Sequence, residues 1–287
     1  SVLNEIEVTS LNRAKRKPTE DLNSYEFLLK GKFHKKKKNK EDQNIAVEMF
    51  TRAIDCDPEN GRAYAEKCCT LAGGLSDENL FPLSYDEIFQ NCQDLLKQAF
   101  ELTNQDWDCH RMLCNTYMYF EKYEEAEEYG RRGYDLNPNN PGMLHCYGKS
   151  LVFNGNFDQG LNILNKAMEL DPLGQSITDT LIWANYAAEN FEVCLEFKTL
   201  NKCFTPHTWI LRIACLGVLS RDQEKKEEFE AFIDFYGREE MNERLADLKF
   251  NNSEIENNIR LLVNNDRESL IQSNGSKIGD AVSERIN

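Results

Sequence analysis

The stretch WDCHRMLCNTYMYFEKYEEAEEYGRRGYDLNPNN (residues 107–140) is followed by PGMLHCYGKSLVFNGNFDQGLNILNKAMELDPLG (residues 141–174), and the second repeats the pattern of the first. Pro138, Pro172 and Pro206 stand 34 residues apart. Each follows a turn: Leu136-Asn137-Pro138, Leu170-Asp171-Pro172 and Phe204-Thr205-Pro206, with Cys56-Asp57-Pro58 an earlier case. A fixed period of this length marks a solenoid of stacked helix-turn-helix units, each burying its apolar face on its neighbours.

Working outward, residues 107–140 place Leu113, Tyr117, Tyr123, Ala126 and Pro138 at helix-pair positions. Residues 141–174 repeat them with Leu144, Gly148, Leu151, Phe157, Gly160, Leu164, Ala167 and Pro172. Small residues at Gly148, Ala126 and Gly160 are expected where two helices cross closely. Residues 175–208 keep Leu181, Phe191, Cys194 and Pro206 more loosely, and a sixth unit starts at Trp209. Upstream, helices are predicted over about Tyr25–His34 and from Glu41 to Asp57. The second carries Ile45, Ala46, Met49, Phe50, Ala53 and Ile54 at three- and four-residue steps. From Pro58 to Asn104 the step is 46 residues, the period plus a 12-residue insertion placed at about 73–84.

These units resemble the tetratricopeptide repeat (TPR) family over roughly residues 24–236. The resemblance implies an all-α, right-handed α-α superhelix of about six units with C-terminal capping helices. Residues 1–22 are predicted to be a linker from a missing upstream domain, 23–236 the array, 237–272 a helical cap, and 273–287 a polar, mobile tail. A narrower resemblance is carried by residues 16–31 with Ala46, Phe50, Ala53, Ile54, Asp57 and Pro58. It is to the C-terminal TPR region of bacterial regulators that carry a class III adenylate/guanylate cyclase, a TolB-like segment or a winged-helix domain.

Composition excludes several functions. With 34 basic against 49 acidic residues, the formal net charge is −15, against general nucleic-acid binding. The lysine run from Lys30 to Lys40 reads as a solvated loop between helices. No run of about 18 apolar residues is present to span a membrane. The start has no basic, apolar leader, and the missing initial Met points to a piece of a longer protein. Ten cysteines without a CxxC pair read as free thiols in a reducing, cytoplasmic setting. Cys109, His110, Cys114, His145 and Cys146 lack metal-ligand spacing and read as packing residues. No catalytic motif, metal site or cofactor is expected.

The TPR resemblance implies that the first helix of each unit lines a concave groove. The candidate partner-binding residues are then Arg62, Asp108, Arg111, Asn115, His145, Lys149, Asp179, Trp183 and Tyr186. Arg111 and Asn115 are similar to half of the carboxylate clamp of some TPR domains. Cys146 and Thr180 stand where that clamp has Asn and a basic residue, so chaperone-tail binding is not expected. Two functions follow from the sequence. The first is a non-catalytic scaffold that binds a protein or peptide, or associates with itself. The second is the regulatory region of a cyclase or transcriptional regulator whose output domain lies outside this chain.

Overall fold

A computed structural model describes residues 2–18, 22–37, 39–76, 80–197, 205–246, 257–261 and 263. Among them there are helices and no strands. The chain divides into two compact units, Ser1–Asn154 and Gly155–Asn287. Of the expected C-terminal elements, Leu248, Ile255 and everything from 264 onward lie outside the described residues, as do Lys38, 77–79 and Cys203.

Unit 1 holds α1 (Val2–Ala14), α2 (Ser24–Lys35), α3 (Lys40–Cys56), α4 (Gly61–Gly73), α5 (Tyr85–Leu102), α6 (Trp107–Tyr119), α7 (Tyr123–Leu136) and α8 (Pro141–Phe153). Polar caps start most of them. Asn23 with Glu26, and Ser84 with Glu87, form reciprocal capping boxes, while Asn39, Asn60, Asp106 and Asn140 each accept from a first-turn amide. Alternate helices also touch: α2 meets α4, α4 meets α6, and α6 meets α8. The first helices of successive pairs therefore stand side by side.

The core of unit 1 is a chain of local clusters, as a solenoid requires. Phe27, Leu28, Ala46, Phe50 and Ala53 fuse α2 to α3. Cys68, Leu71, Phe81, Ile88, Cys92 and Phe120 fill the next gap, and Ala65, Ala99, Cys109, Met112 and Leu113 the one after. Phe81, 5% exposed, pins the loop between α4 and α5 into that core. Small residues make close crossings possible at Gly130, where an added Cβ would sit 2.9 Å from Tyr147 Cδ2, and at Gly133 against Met143.

Residues 2–14 form a helix, where the sequence pattern predicts a linker. The stretch has no Gly or Pro to break it before Pro18. Its last residue, Ala14, is fully buried, and Lys17 closes onto the Glu26 carboxylate at 2.7 Å.

Unit 2 holds α9 (Phe157–Leu170), α10 (Gln175–Ala187), α11 (Phe191–Glu196), α12 (Pro206–Val218), α13 (Asp222–Tyr236) and α14 (Arg238–Ala246), with 257–261 also helical. One cluster joins its later elements: Ile182, Tyr186, Cys194, Trp209, Ile210, Ile213, Phe229, Phe232, Met241, Leu245, Ile259 and Val263.

The third proline of the period is out of register. Pro138 and Pro172 each precede their next helix by three residues, whereas Pro206 is the first residue of α12. The sixth unit thus begins at Pro206 rather than Trp209, three residues early. The backbone repeats the shift. Residues in the left-handed region close the turn between paired helices at Glu121 (φ 56°), Gly155 (φ 89°) and Glu189 (φ 61°), spaced by the period. The next one is Ser220 (φ 55°), three residues short of it. The loss falls where α11 is cut to six residues.

At Glu121 the turn is a Schellman motif: the Lys122 amide donates to Tyr117 O at 3.0 Å and the Glu121 amide to Met118 O at 3.1 Å. A side chain costs about 1 kcal/mol in that backbone region, which glycine does not. Glu121→Gly is expected to stabilise unit 1 by about 0.5 kcal/mol, read as a higher urea midpoint at constant slope. A lower midpoint would show that the Glu121 side chain matters more than its backbone.

Candidate functional site

The surface made by α2, α4, α6 and α8 collects charge. Lys35, the last residue of α2, places Nζ 2.8 Å from Glu66 Oε2 on α4, a carboxylate only 5% exposed. Burial works against the Lys35 ammonium, but the neighbouring Cys69 and Glu66 more than offset it and raise its pKa. Arg111 on α6 grips Asp108 one turn earlier, with Nη2 and Nε 2.7 and 2.8 Å from Oδ1. Burial pushes the Asp108 carboxyl up, and Arg111, Lys32 and Arg62 outweigh it, so it is held below the ordinary range. Arg62 at the start of α4 pairs with Asp106, the cap of α6. Its pKa is raised, chiefly by that bond.

Against Lys32, Lys35, Arg62, Arg111 and Lys149 stand Glu66, Asp106 and Asp108. Among the described residues these cations gather on one surface of a chain of net charge −15. Small buried residues floor it: Ala65, Cys69 and Cys146 are at most 6% exposed.

Lys149 on α8 differs from the other four. Its Nζ lies 5.6 Å from the centre of the Phe153 ring. Burial lowers its pKa, with the Cys146 and Cys114 thiols as its polar neighbours. Among the described residues it has no carboxylate partner. Beside it, Cys146 Sγ donates to Asn115 Oδ1 at 3.3 Å. This takes one of the two lone pairs of Asn115 Oδ1, and its amide N–H groups are unused among the described residues.

The sequence-predicted residues of unit 1 therefore fall on one surface: Arg62, Asp108, Arg111, Asn115, His145 and Lys149, with His145 half-buried. In unit 2 the outcome differs. Asp179 accepts from Thr208 Oγ1 at 2.8 Å and Gln175 Nε2 at 3.0 Å, while burial raises its pKa. Its carboxylate ties α10 to α12. Trp183 packs against the core. Tyr186 is 5% exposed, its ring 5.3 Å from Phe191, and it is part of the hydrophobic core. A tyrosine at a helix position that is open in one repeat becomes enclosed where the next pair closes on it.

Sequence reasoning missed Lys35 and Glu66. Lys35 sits in the lysine run read as a loop, yet it ends α2. Glu66 lies one turn past Arg62 on α4, at a position the repeat pattern does not single out. The spacing that aligns Lys35 with Glu66 appears only when two repeats are stacked.

His110, 2% exposed, bonds Asn104 O through Nε2 at 3.0 Å and lies against Tyr129. Among the described residues no group of three or more His, Cys, Asp or Glu side chains is placed to hold a metal ion. No described helix is long and apolar enough to cross a membrane.

No protein-family profile matches the chain, and no curated protein matches it. Solved structures do. PilF of Pseudomonas aeruginosa aligns over 78% of this chain and 97% of its own, at a TM-score of 0.54 and 12% identity. TTC0263, a thermophilic TPR protein of Thermus thermophilus, covers 73% and 98%, with TM-score 0.48 and 14% identity. YrrB, a TPR protein with an unusual peptide-binding site, covers 84% and 98%, with TM-score 0.40 and 14% identity. The likeness to PilF extends to the fold, an all-α helical repeat. Neither a cyclase nor a winged-helix regulator is among these three.

Proposed function

We propose that the chain is a non-catalytic interaction scaffold whose first-helix surface in unit 1 holds a peptide segment of a partner protein. One observation carries this. Charged and polar side chains recur on the stacked first helices α2, α4, α6 and α8, over a floor of small buried residues. Packing alone does not call for Lys35, Arg111, Asn115 and Lys149 there. A surface of aligned helices with spaced donors suits an extended or helical ligand, which needs anchors at intervals rather than one deep pocket.

The test is steric. Asn115→Trp fills the middle of the surface without changing its charge, and Arg132→Ala alters the second-helix side at an exposed residue of α7. In affinity capture from cell lysate, a partner is expected with the unaltered chain and with Arg132→Ala, and is expected to be lost with Asn115→Trp of native circular dichroism. A partner retained by Asn115→Trp would move the site off the first helices. Recovery of the chain alone would make assembly of copies its role.

A further inference from the structure

We infer that the segment held on this surface is acidic, and that Lys149 is the anchor for one of its carboxylates. The inference rests on the first-helix surface proposed above and names the chemistry of its ligand. Lys35, Arg62 and Arg111 already have carboxylates, Glu66, Asp106 and Asp108 in turn. Lys149 has thiols and an aromatic ring. A half-buried ammonium lacking a counter-ion has lost hydration without regaining it, and an incoming carboxylate restores the balance.

The neighbouring donor fits the same guest. Cys146 engages Asn115 Oδ1, and the side-chain amide N–H groups have no partner among the described residues. Asn115 and Lys149 occupy the same position in successive units, 34 residues apart, on helices that touch. Both offer unused N–H donors, and the ammonium offers no acceptor, which favours an anion. Charge also separates the candidate anions. One ammonium without a carboxylate, beside the Asn115 amide, suits a short acidic segment. A nucleic-acid backbone is gripped by about six or more cations and would be repelled by a chain of net charge −15.

The experiment is a selection from a random-peptide display library on the intact chain, with enriched peptides resynthesised and their affinities measured. Enriched sequences are expected to be rich in Asp and Glu. Changing those residues to Asn and Gln should weaken binding at least tenfold, and so should raising the salt. Lys149→Gln should weaken the acidic peptide about tenfold, and Lys149→Arg should largely restore it. Lys149→Gln orphans no carboxylate, so its helix content should be native. Arg52→Gln, on an exposed residue of α3 paired with Glu48, serves as the control and should not change affinity.

Basic or apolar peptides whose binding is still blocked by Asn115→Trp would overturn the acidic ligand and leave the surface standing. Acidic peptides indifferent to both Lys149→Gln and Asn115→Trp would overturn the surface as well. No enrichment over an albumin-coated control would overturn the proposal.

Discussion

Replacing Arg212 with Met is expected to destabilise unit 2 by about 3–4 kcal/mol, the largest effect of any single charged residue in it. The reason lies in α11, which stops after six residues. In a longer helix the last carbonyls of such a segment would be taken by the following turn. Here Arg212 Nη1 reaches across from α12 and donates to Cys194 O at 3.1 Å, Leu195 O at 3.2 Å and Phe197 O at 3.4 Å. Its Nη2 meets Glu228 Oε1 on α13 at 3.4 Å, so one guanidinium ties three helices together.

Exposure decides the magnitude. The Arg212 side chain is 11% exposed, whereas Arg221, which pairs with Glu192 and Glu224, is 36% exposed. Pairs like the latter contribute about 0–1 kcal/mol. Removing the Arg212 fork leaves carbonyls without a donor in a place water reaches poorly. Met keeps the stem packed and isolates the loss of the head. Lys should recover less than half, because a single ammonium cannot serve both the α11 carbonyls and Glu228, which Nη1 and Nη2 of the planar fork reach separately. The readout is urea unfolding followed by tryptophan fluorescence in a Trp107→Phe background, which leaves Trp183 and Trp209, both in unit 2. A loss under about 1 kcal/mol would make the fork a surface contact and leave the short α11 unexplained.

How far the sequence reveals this architecture depends on whether a feature is local. The paired-helix pattern of residues 107–174 needs nothing beyond apolar spacing and turn residues, so α6, α7, α8 and α9 begin where the repeat places them. Pro206 misleads because a proline is admissible both in the turn before a helix and at its first position. The coincidence of spacing hides a three-residue deletion. What reveals the deletion is the left-handed residue at Ser220 and the Arg212 fork, and both depend on how α11 meets α12. The short helix and the buried arginine are one feature, since the arginine supplies what the missing turn would have supplied.

The candidate site divides in the same way. Arg111, Asn115 and Lys149 are legible because each occupies a fixed position on its helix. That Asp108 neutralises Arg111 also follows from a three-residue step on one helix. The Lys35–Glu66 pair joins residues 31 apart on helices of different repeats, one in a run that reads as loop. Tyr186 shows the converse. Its helix position is that of a groove residue, and only the packing of Phe191 and the later elements encloses it. Pattern gives the direction in which a side chain leaves its helix, and the neighbouring helix decides whether that direction is open.

Gly31→Ala is expected to destabilise unit 1 by about 2 kcal/mol, although alanine is the better helix former by about 1 kcal/mol. Gly31 lies in α2 against Phe50 of α3, and an added Cβ would overlap the ring, 2.6 Å from Cδ1 and 2.8 Å from Cζ. Phe50 is fully buried among Phe27, Leu28, Ala46, Met49 and Ala53 and has nowhere to turn. The helices must part instead, and α2 carries Lys32 and Lys35, so the strain passes to the Lys35–Glu66 pair and the floor of the binding surface. A double-mutant cycle isolates the contact. Phe50→Leu alone should cost about 1–2 kcal/mol, and in its presence Gly31→Ala should become nearly neutral, a coupling of about 1.5 kcal/mol. Peptide affinity should follow the same cycle, falling with Gly31→Ala and recovering in the double variant. If Gly31→Ala instead stabilised the chain, helix propensity would outweigh packing at this crossing, and Gly31 would owe its place to something other than the approach of Phe50.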